Sequence, residues 1–276
     1  MVDNLGLGLK RIFRFRISFQ TIKDYSKITI ILSFLFMAMA LMYAGMYPAF
    51  EESLSEIIDS GFAEGFEFFR GAEDMGSYVG FLNIELYQIF WLLVLGIMIG
   101  FISASSISKE VEGKTIDLLM SNPVSKKQVV FEKFIGLIPM VLTVNFLTFL
   151  AIIGITVAID QELNFYNVFL THLVSIPYFL AIIGIGILVS VIINEKMKAS
   201  IVMIALIVGM FIFESLGQMV TDYESMGIIS ITHYFNPYDT LKLGEVDFVG
   251  VVILLLIAMW AMIIAMIYFE HKDIAV

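Results

Sequence analysis

Six long apolar stretches run through this sequence, and they leave few folds open to it. An α-helix that crosses a bilayer needs roughly 20 mainly apolar residues. Hydrophobic residues make up 59% of the chain and charged residues only 15%, against about 45–50% and 25% in soluble domains. The sequence therefore predicts a single all-α integral membrane domain over residues 1–276. The six predicted transmembrane helices are residues 28–50, 86–107, 134–159, 168–193, 199–217 and 248–269.

Lys and Arg are distributed very unevenly among the segments that join these stretches. Fourteen of the sixteen lie before the first stretch, between the second and third, between the fourth and fifth, or after the last. Only Arg70 and Lys242 fall in the other three connections. Because basic residues are retained on the cytoplasmic side of a membrane, we expect both termini to be cytoplasmic in a multi-pass protein of the cell membrane.

The same partition leaves the outer side strongly acidic. The three outer connections and their span ends hold 17 of the 26 acidic residues, so the formal charge is −15 outside and +5 inside. We expect these acids to form a solvated rim, with attraction of a cationic substrate or partner as the alternative. The overall net charge of −10 argues against nucleic acid as a partner.

Residue types that carry catalysis or bind metals are scarce. Cysteine is absent, which excludes disulfides and thiolate chemistry. His172, His233 and His271 do not have the spacing of a metal site, and no serine lies in a nucleophile elbow, so we predict neither an enzyme nor a bound cofactor. Ala38-Met39-Ala40 resembles a signal-peptidase site, but the apolar run continues past it, so we expect the first stretch to be a permanent anchor.

Residues 5–27, ahead of the first apolar stretch, mix basic and aromatic side chains. An apolar stripe at helical spacing indicates an amphipathic helix that lies flat in the inner interface, where its basic residues meet anionic lipid headgroups. The run Phe13-Arg14-Phe15-Arg16-Ile17 also alternates with a period of two, which is a strand-like pattern. The stripe consists of Ile12, Phe15, Phe19 and Ile22.

Two of the three outer connections are long enough to fold. Residues 51–85 are acidic with scattered phenylalanines, and we expect a cap packed over the spans in place of a free tail. Residues 218–247 place aromatic side chains around a turn at Pro237, and we expect them to fold back onto the membrane surface. Residues 160–167 are too few to hold a domain.

Few residues interrupt the apolar spans. Gly96 and Gly100 form a G-x-x-x-G pair, a spacing that lets two helices approach closely. Pro139 and Pro177 are expected to kink or loosen the third and fourth spans. Asn145 is the main polar residue at mid-depth, and we expect it to hydrogen-bond between helices, with contact along a substrate path as the alternative. The near absence of ionisable residues at the span centres disfavours a proton- or ion-coupled transporter.

One charged segment, residues 108–133, carries the most specific pattern in the chain. Its first half predicts a short amphipathic helix over residues 110–120, because apolar side chains recur at i, i+4, i+7 and i+8. Asn122-Pro123 is expected to end this helix, and Ser125 to cap the next one with Gln128 as its capping-box partner. The apolar positions are Val111, Thr115, Leu118 and Leu119.

Gly113-Lys114-Thr115 ends like a phosphate-binding loop, G-x-x-x-x-G-K-[ST]. The required first glycine is replaced by Ser108, and the preceding element is a membrane span where the motif needs a buried strand. We therefore expect no nucleotide on this chain. If ATP and Mg²⁺ are used, a separate partner is expected to bind them.

The run EVEGKTIDLLMSNPVSKKQVV, residues 110–130, resembles the connection between the second and third spans of type-2 ABC transporter permeases. That family shows an acidic stretch, a Gly-Thr pair, an acidic residue, a Leu pair, and then Pro-Val-Ser with a basic residue. Lys114 stands where glycine is usual, and Gly113 is displaced by one position. The matching residues are Glu110, Glu112, Thr115, Asp117, Leu118, Leu119, Pro123, Val124, Ser125 and Lys126.

The resemblance implies an exporter permease that dimerises, with itself or with a paralogue, into twelve spans and pairs with two separate ATPase subunits. The segment would be the coupling helix, seated in a groove on the ATPase, with two leucines in buried contact and charged residues setting partner choice. The alternatives are a loop resting on lipid headgroups, a membrane scaffold that recruits a cytoplasmic partner, and, third, a secondary transporter. The docking candidates are Glu110, Glu112, Lys114, Thr115, Leu118, Leu119 and Pro123.

Overall fold

The computed structural model describes residues 16–59, 68–116, 124–219 and 224–273. Every regular element in these ranges is helical, and six helices are long and apolar enough to cross a membrane. The predicted all-α membrane fold is therefore confirmed. The six helices are α1 (Arg16–Asp59), α2 (Tyr78–Glu112), α3 (Lys126–Ala158), α4 (Phe165–Ile192), α5 (Lys196–Met219) and α6 (Phe248–His271).

The second helix is composite, whereas the others are regular. Its parts are a short α-helix Tyr78–Phe81, a π-helix Leu82–Leu95, an α-helix Gly96–Ser105 and, after a break, an α-helix Ser108–Glu112. By contrast, α3 and α4 continue through their internal prolines, Pro139 and Pro177. Short helical turns in the outer connections are Ala72–Asp74, Glu224–Gly227, Ile231–Tyr234 and Asp239–Leu243.

The first helix begins well before its predicted span. It includes residues 16–27 in one continuous helix of 44 residues, so the separate interfacial helix predicted for residues 5–27 is wrong in this part, and residues 5–15 lie outside the described ranges. The reason is packing on α3. Thr21 is fully buried and approaches Gly136 so closely that a Cβ on this glycine would lie 2.7 Å from it.

Two helices form the centre of the bundle. In α2 and α4, 61% and 67% of the most apolar window is buried, against 28% in α1, α5 and α6. α1 packs on α3, α3 on α4 and α6, α4 on α2 and α6, and α2 on α5. The helices alternate in direction, so α1, α3 and α5 begin at one surface, where α2, α4 and α6 end. We call this the inner surface, following the predicted orientation, and the opposite one the outer surface.

The glycine pair in α2 permits close helix packing, as predicted. The helices that approach it belong to the same chain. A Cβ on Gly96 would lie 3.2 Å from the Tyr178 hydroxyl of α4. A Cβ on Gly100 would lie 2.5 Å from Ile207 of α5. The two glycines therefore let α2 pack between both neighbours.

The described parts of the first and third outer connections pack together over the bundle. Arg70 pairs with Glu214 of α5 at 2.5 Å, and Glu214 also lies 2.9 Å from His233. Lys242 pairs with Asp74 at 2.8 Å, and the hydrogen bond to this carboxylate raises the pKa of Lys242 above its ordinary value. Both bases of the outer connections are thus paired with acids. The predicted packed cap is present in residues 68–77 of the first connection.

Candidate partner-docking site

A break in α2 separates the predicted docking segment, which we define as residues 108–123, from the rest of the helix. The chain turns at residues 106–107, and the N–H groups of Ile107 and Ser108 both donate to Ser190 Oγ of α4 at 2.9 Å. Unpaired buried N–H groups are costly, so the Ser190 hydroxyl makes the break tolerable. The short helix Ser108–Glu112 follows.

The short helix ends in a Schellman motif. The Thr115 N–H donates to the Glu110 carbonyl at 2.9 Å, and the Lys114 N–H donates to the Val111 carbonyl at 3.1 Å; these are the two bonds of that motif. Its left-handed residue is Lys114, with φ of +53°. The continuous helix predicted over residues 110–120 is therefore wrong, because the backbone leaves helical geometry at this turn.

The left-handed conformation of Lys114 suits glycine, the residue that the family resemblance predicts at this position. A residue with a Cβ is disfavoured in the left-handed region by roughly 1–2 kcal/mol. We expect Lys114→Gly to raise the free energy of unfolding by about 1 kcal/mol, detected as a higher midpoint of thermal unfolding in detergent. Lys114→Ala removes the charge but keeps the Cβ and should give no such gain. Equal gains from both variants would contradict the backbone explanation.

Glu110 and Glu112, both expected on the docking surface, make bonds within the protein. The Glu110 carboxylate pairs with Lys133 of α3, whose side chain is 2% exposed. Glu112 Oε2 accepts the backbone N–H of Lys196, the first residue of α5, at 2.8 Å, as helix N-termini favour. With the bonds to Ser190, the docking segment is attached to α3, α4 and α5.

The other docking candidates divide between exposed residues and residues outside the described ranges. Lys114 and Thr115 are exposed at the inner surface, where a partner on that side would meet them. Leu118, Leu119 and Pro123 lie outside the described ranges. The role of these three in docking stays a prediction, and it rests on the sequence pattern and the family resemblance.

The N-terminus of α3 is capped as predicted. The Ser125 hydroxyl oxygen accepts the backbone N–H of Gln128 at 3.1 Å. The Gln128 side chain does not reach back as in a capping box, because its amide donates to Glu132 Oε1 at 2.6 Å. The glutamine therefore helps to orient a buried carboxylate.

Glu132 and Lys133, two adjacent residues near the start of α3, join the docking segment to α1. Both are only 2% exposed. The Lys133 ammonium group forms an ion pair with the Glu110 carboxylate. The Glu132 carboxylate accepts hydrogen bonds from the backbone N–H groups of Ile17 and Ser18 of α1, at 2.8 and 3.1 Å. This function was not predicted from the sequence, in which Lys133 is one of the fourteen inner basic residues. The available signal was an adjacent acid and base at the edge of an apolar span, since buried charges require partners.

Lysine side chains also tie the inner end of α6 to α3 and α4. Lys127 pairs with Glu270 at 2.7 Å, and Lys126 Nζ donates to the Lys272 carbonyl at 2.6 Å. Lys272 Nζ in turn donates to carbonyl oxygens in the last turn of α4, a position that favours a cation. Burial lowers the pKa of Lys272 below its ordinary value.

Asn145, the candidate substrate contact, joins α3 to α4. Its Oδ1 accepts from Ser175 Oγ at 3.1 Å and lies 3.0 Å from His172 Nδ1. The residue is 5% exposed. The predicted interhelical hydrogen bonding is therefore present, and contact with a substrate stays a prediction.

Six helices that are long and apolar enough to cross a membrane define a multi-pass membrane protein. The chain belongs to the ABC-2 transporter family, because the model of that family, described as ABC-2 family transporter protein, matches residues 24–274. This confirms the resemblance found in the sequence. The family is the membrane component of ABC transporters, so the protein is a permease and not the ATPase. The sequence matches no curated protein.

Proposed function

We propose that this permease is the membrane subunit of an ATP-driven exporter whose separate ATPase subunit docks on residues 108–123. ABC-2 permeases generally work with an ABC ATPase subunit, and that subunit would bind ATP and Mg²⁺. A second copy of the chain, or a paralogous permease, completes the transporter. Both termini are cytoplasmic in this arrangement, as the distribution of Lys and Arg favours.

The observation that carries the proposal is the way the docking segment is attached. It begins as a separate short helix beyond the break in α2, and it is bonded to Lys133 of α3, Ser190 of α4 and the Lys196 N–H of α5. A displacement of this helix therefore acts on three spanning helices at once. ATP drives such a displacement only if it binds the two conformations of the complex with different affinity.

The docking is tested with the double variant Leu118→Asp/Leu119→Asp. The two leucines are expected to be buried against the ATPase, and carboxylates buried without partners are costly. We expect co-purification of the ATPase with the solubilised permease, and vanadate-sensitive ATP hydrolysis by the complex, to fall by more than about tenfold.

Leu243→Asp is the matched control, since this leucine is 57% exposed and lies on the outer surface. It should leave co-purification unchanged. Association that survives the double variant would contradict docking through residues 118 and 119. If the unmutated permease associates with the ATPase but the complex hydrolyses no ATP, the membrane-scaffold alternative is favoured. A substrate-binding protein encoded beside the permease would weaken the case for export.

A further inference from the structure

Three of the buried polar atoms that have no hydrogen-bond partner among the described residues lie on adjacent ring side chains of α2 and α4. They are Tyr87 Oη and Trp91 Nε1 on α2 and His172 Nε2 on α4. The three residues are 0%, 0% and 4% exposed. Buried polar groups are nearly always paired with protein or with ordered water. Three such atoms on adjacent side chains are therefore candidates to pair with one bound group.

The three side chains lie against one another. The ring centroids of Trp91 and His172 are 4.8 Å apart, those of Tyr87 and His172 5.7 Å, and those of Tyr87 and Trp91 6.5 Å. Phe149 lies 5.8 Å from His172, and Phe179 lies 5.7 Å from Trp91. The three rings thus form one cluster, with Phe149 and Phe179 beside it.

The hydrogen bonds of Asn145 decide which chemistry this cluster offers. Its Nδ2 donates to the Val141 carbonyl of its own helix at 3.3 Å, which sets the orientation of the amide. His172 Nδ1, facing Oδ1 at 3.0 Å, is therefore the protonated nitrogen, and in a neutral ring Nε2 is then an acceptor. Trp91 offers only a donor, and Tyr87 offers both.

The backbone of α2 provides a second, independent observation. Tyr87 and Trp91 both lie in the π-helical segment Leu82–Leu95. π-Helical residues are rare, and π-bulges within α-helices occur frequently at functional sites. A π-helix also positions side chains differently from an α-helix, so the aromatic cluster depends on this unusual backbone.

We propose that Tyr87, Trp91 and His172 form a binding site for one hydroxyl group. The hydroxyl donates to His172 Nε2 and accepts from Trp91 Nε1, and the Tyr87 hydroxyl takes the remaining role. An ordered water molecule and the polar head of a transported amphiphile supply the same chemistry. Binding of a transported amphiphile depends on the proposed transport function, whereas the existence of the hydroxyl site does not depend on it.

Tyr87→Phe tests the site because the expected effect has a definite sign. If the Tyr87 hydroxyl is unpaired, its removal stabilises the protein, whereas removal of a bonded hydroxyl destabilises it. We expect the midpoint of thermal unfolding in detergent to fall by about 2–4 °C. Tyr178→Phe is the matched control, because this buried hydroxyl donates to the Leu92 carbonyl at 3.0 Å and its loss should also lower the midpoint. An unchanged or higher midpoint for Tyr87→Phe would overturn the proposal.

Fluorescence of Trp91 separates the two sources of the hydroxyl. The chain has two tryptophans, so the background variant Trp260→Phe leaves Trp91 as the single reporter. If decan-1-ol shifts the Trp91 emission and decane does not, the site admits the hydroxyl of an amphiphile; if neither does, the midpoint result assigns the site to water. If decan-1-ol and decane shift the Trp91 emission equally, the site does not recognise a hydroxyl group and the proposal is overturned. Neither measurement uses the ATPase, so failure of the docking experiment leaves these outcomes unaffected.

Discussion

Lys133→Met is expected to destabilise the protein by about 3–5 kcal/mol, because it leaves a buried carboxylate without its counter-charge. The Glu110 side chain is 12% exposed, and its Oε2 has no hydrogen-bond partner among the described residues. Lys133 is therefore the charge that offsets the desolvation of this carboxylate. The midpoint of thermal unfolding of the detergent-purified variant should fall by roughly 10 °C.

Two further variants distinguish the effect of losing the ion pair on stability from the effect of losing a lysine elsewhere on the inner surface. Lys133→Met/Glu110→Leu removes both charges, and apolar replacement of a buried pair is often neutral, so most of the stability should return. Lys127→Met removes a half-exposed lysine that pairs with Glu270, and it should cost less than about 1 kcal/mol. Similar effects of Lys133→Met and Lys127→Met would contradict a buried pair at Lys133.

Ser190→Ala is expected to cost about 2–6 kcal/mol, because two buried backbone N–H groups lose their acceptor at roughly 1–3 kcal/mol each. Those groups belong to Ile107 and Ser108, where α2 breaks. The loss should also loosen the docking segment. Hydrogen exchange measured by mass spectrometry should therefore rise at residues 106–112 more than in the rest of α2.

The matched control for Ser190 is Ser106→Ala. Ser106 is also fully buried, but its hydroxyl only donates to the Ser103 carbonyl of the same helix, at 2.7 Å. That carbonyl keeps a second lone pair for other donors, so we expect a loss below about 1 kcal/mol. Equal effects of the two alanine variants on stability and on exchange would contradict the bridging function of Ser190.

Patterns that depend on neighbouring residues were readable from the sequence. The length of an apolar run reports directly on a bilayer-spanning helix, and all six spans are present. Ser125 follows a proline and precedes a helical pattern, so its capping bond was predicted correctly. The spacing of Gly96 and Gly100 predicted close packing, although it did not show which helices would approach.

Features that depend on a distant partner or on backbone conformation were not readable. The left-handed turn at Lys114 was missed because the glycine that would mark it stands one residue earlier. Glu132 and Lys133 carry no periodic signal, and their partners lie on other helices at sequence separations of about 20 and more than 100 residues. The π-helix in α2 follows no simple pattern of side chains.

The length of α1 has a mechanical consequence. Its inner end is held at Ile17 by Glu132, and Tyr47 donates to the Gly76 carbonyl of the outer cap at 2.8 Å. At a rise of 1.5 Å per residue these anchors are about 45 Å apart, which equals the full thickness of a bilayer with its headgroups. All five prolines of the chain come after Tyr47, and the helix is continuous between the two anchors. A rigid-body tilt of α1 at the inner surface would therefore also displace the outer cap to which Tyr47 is bonded.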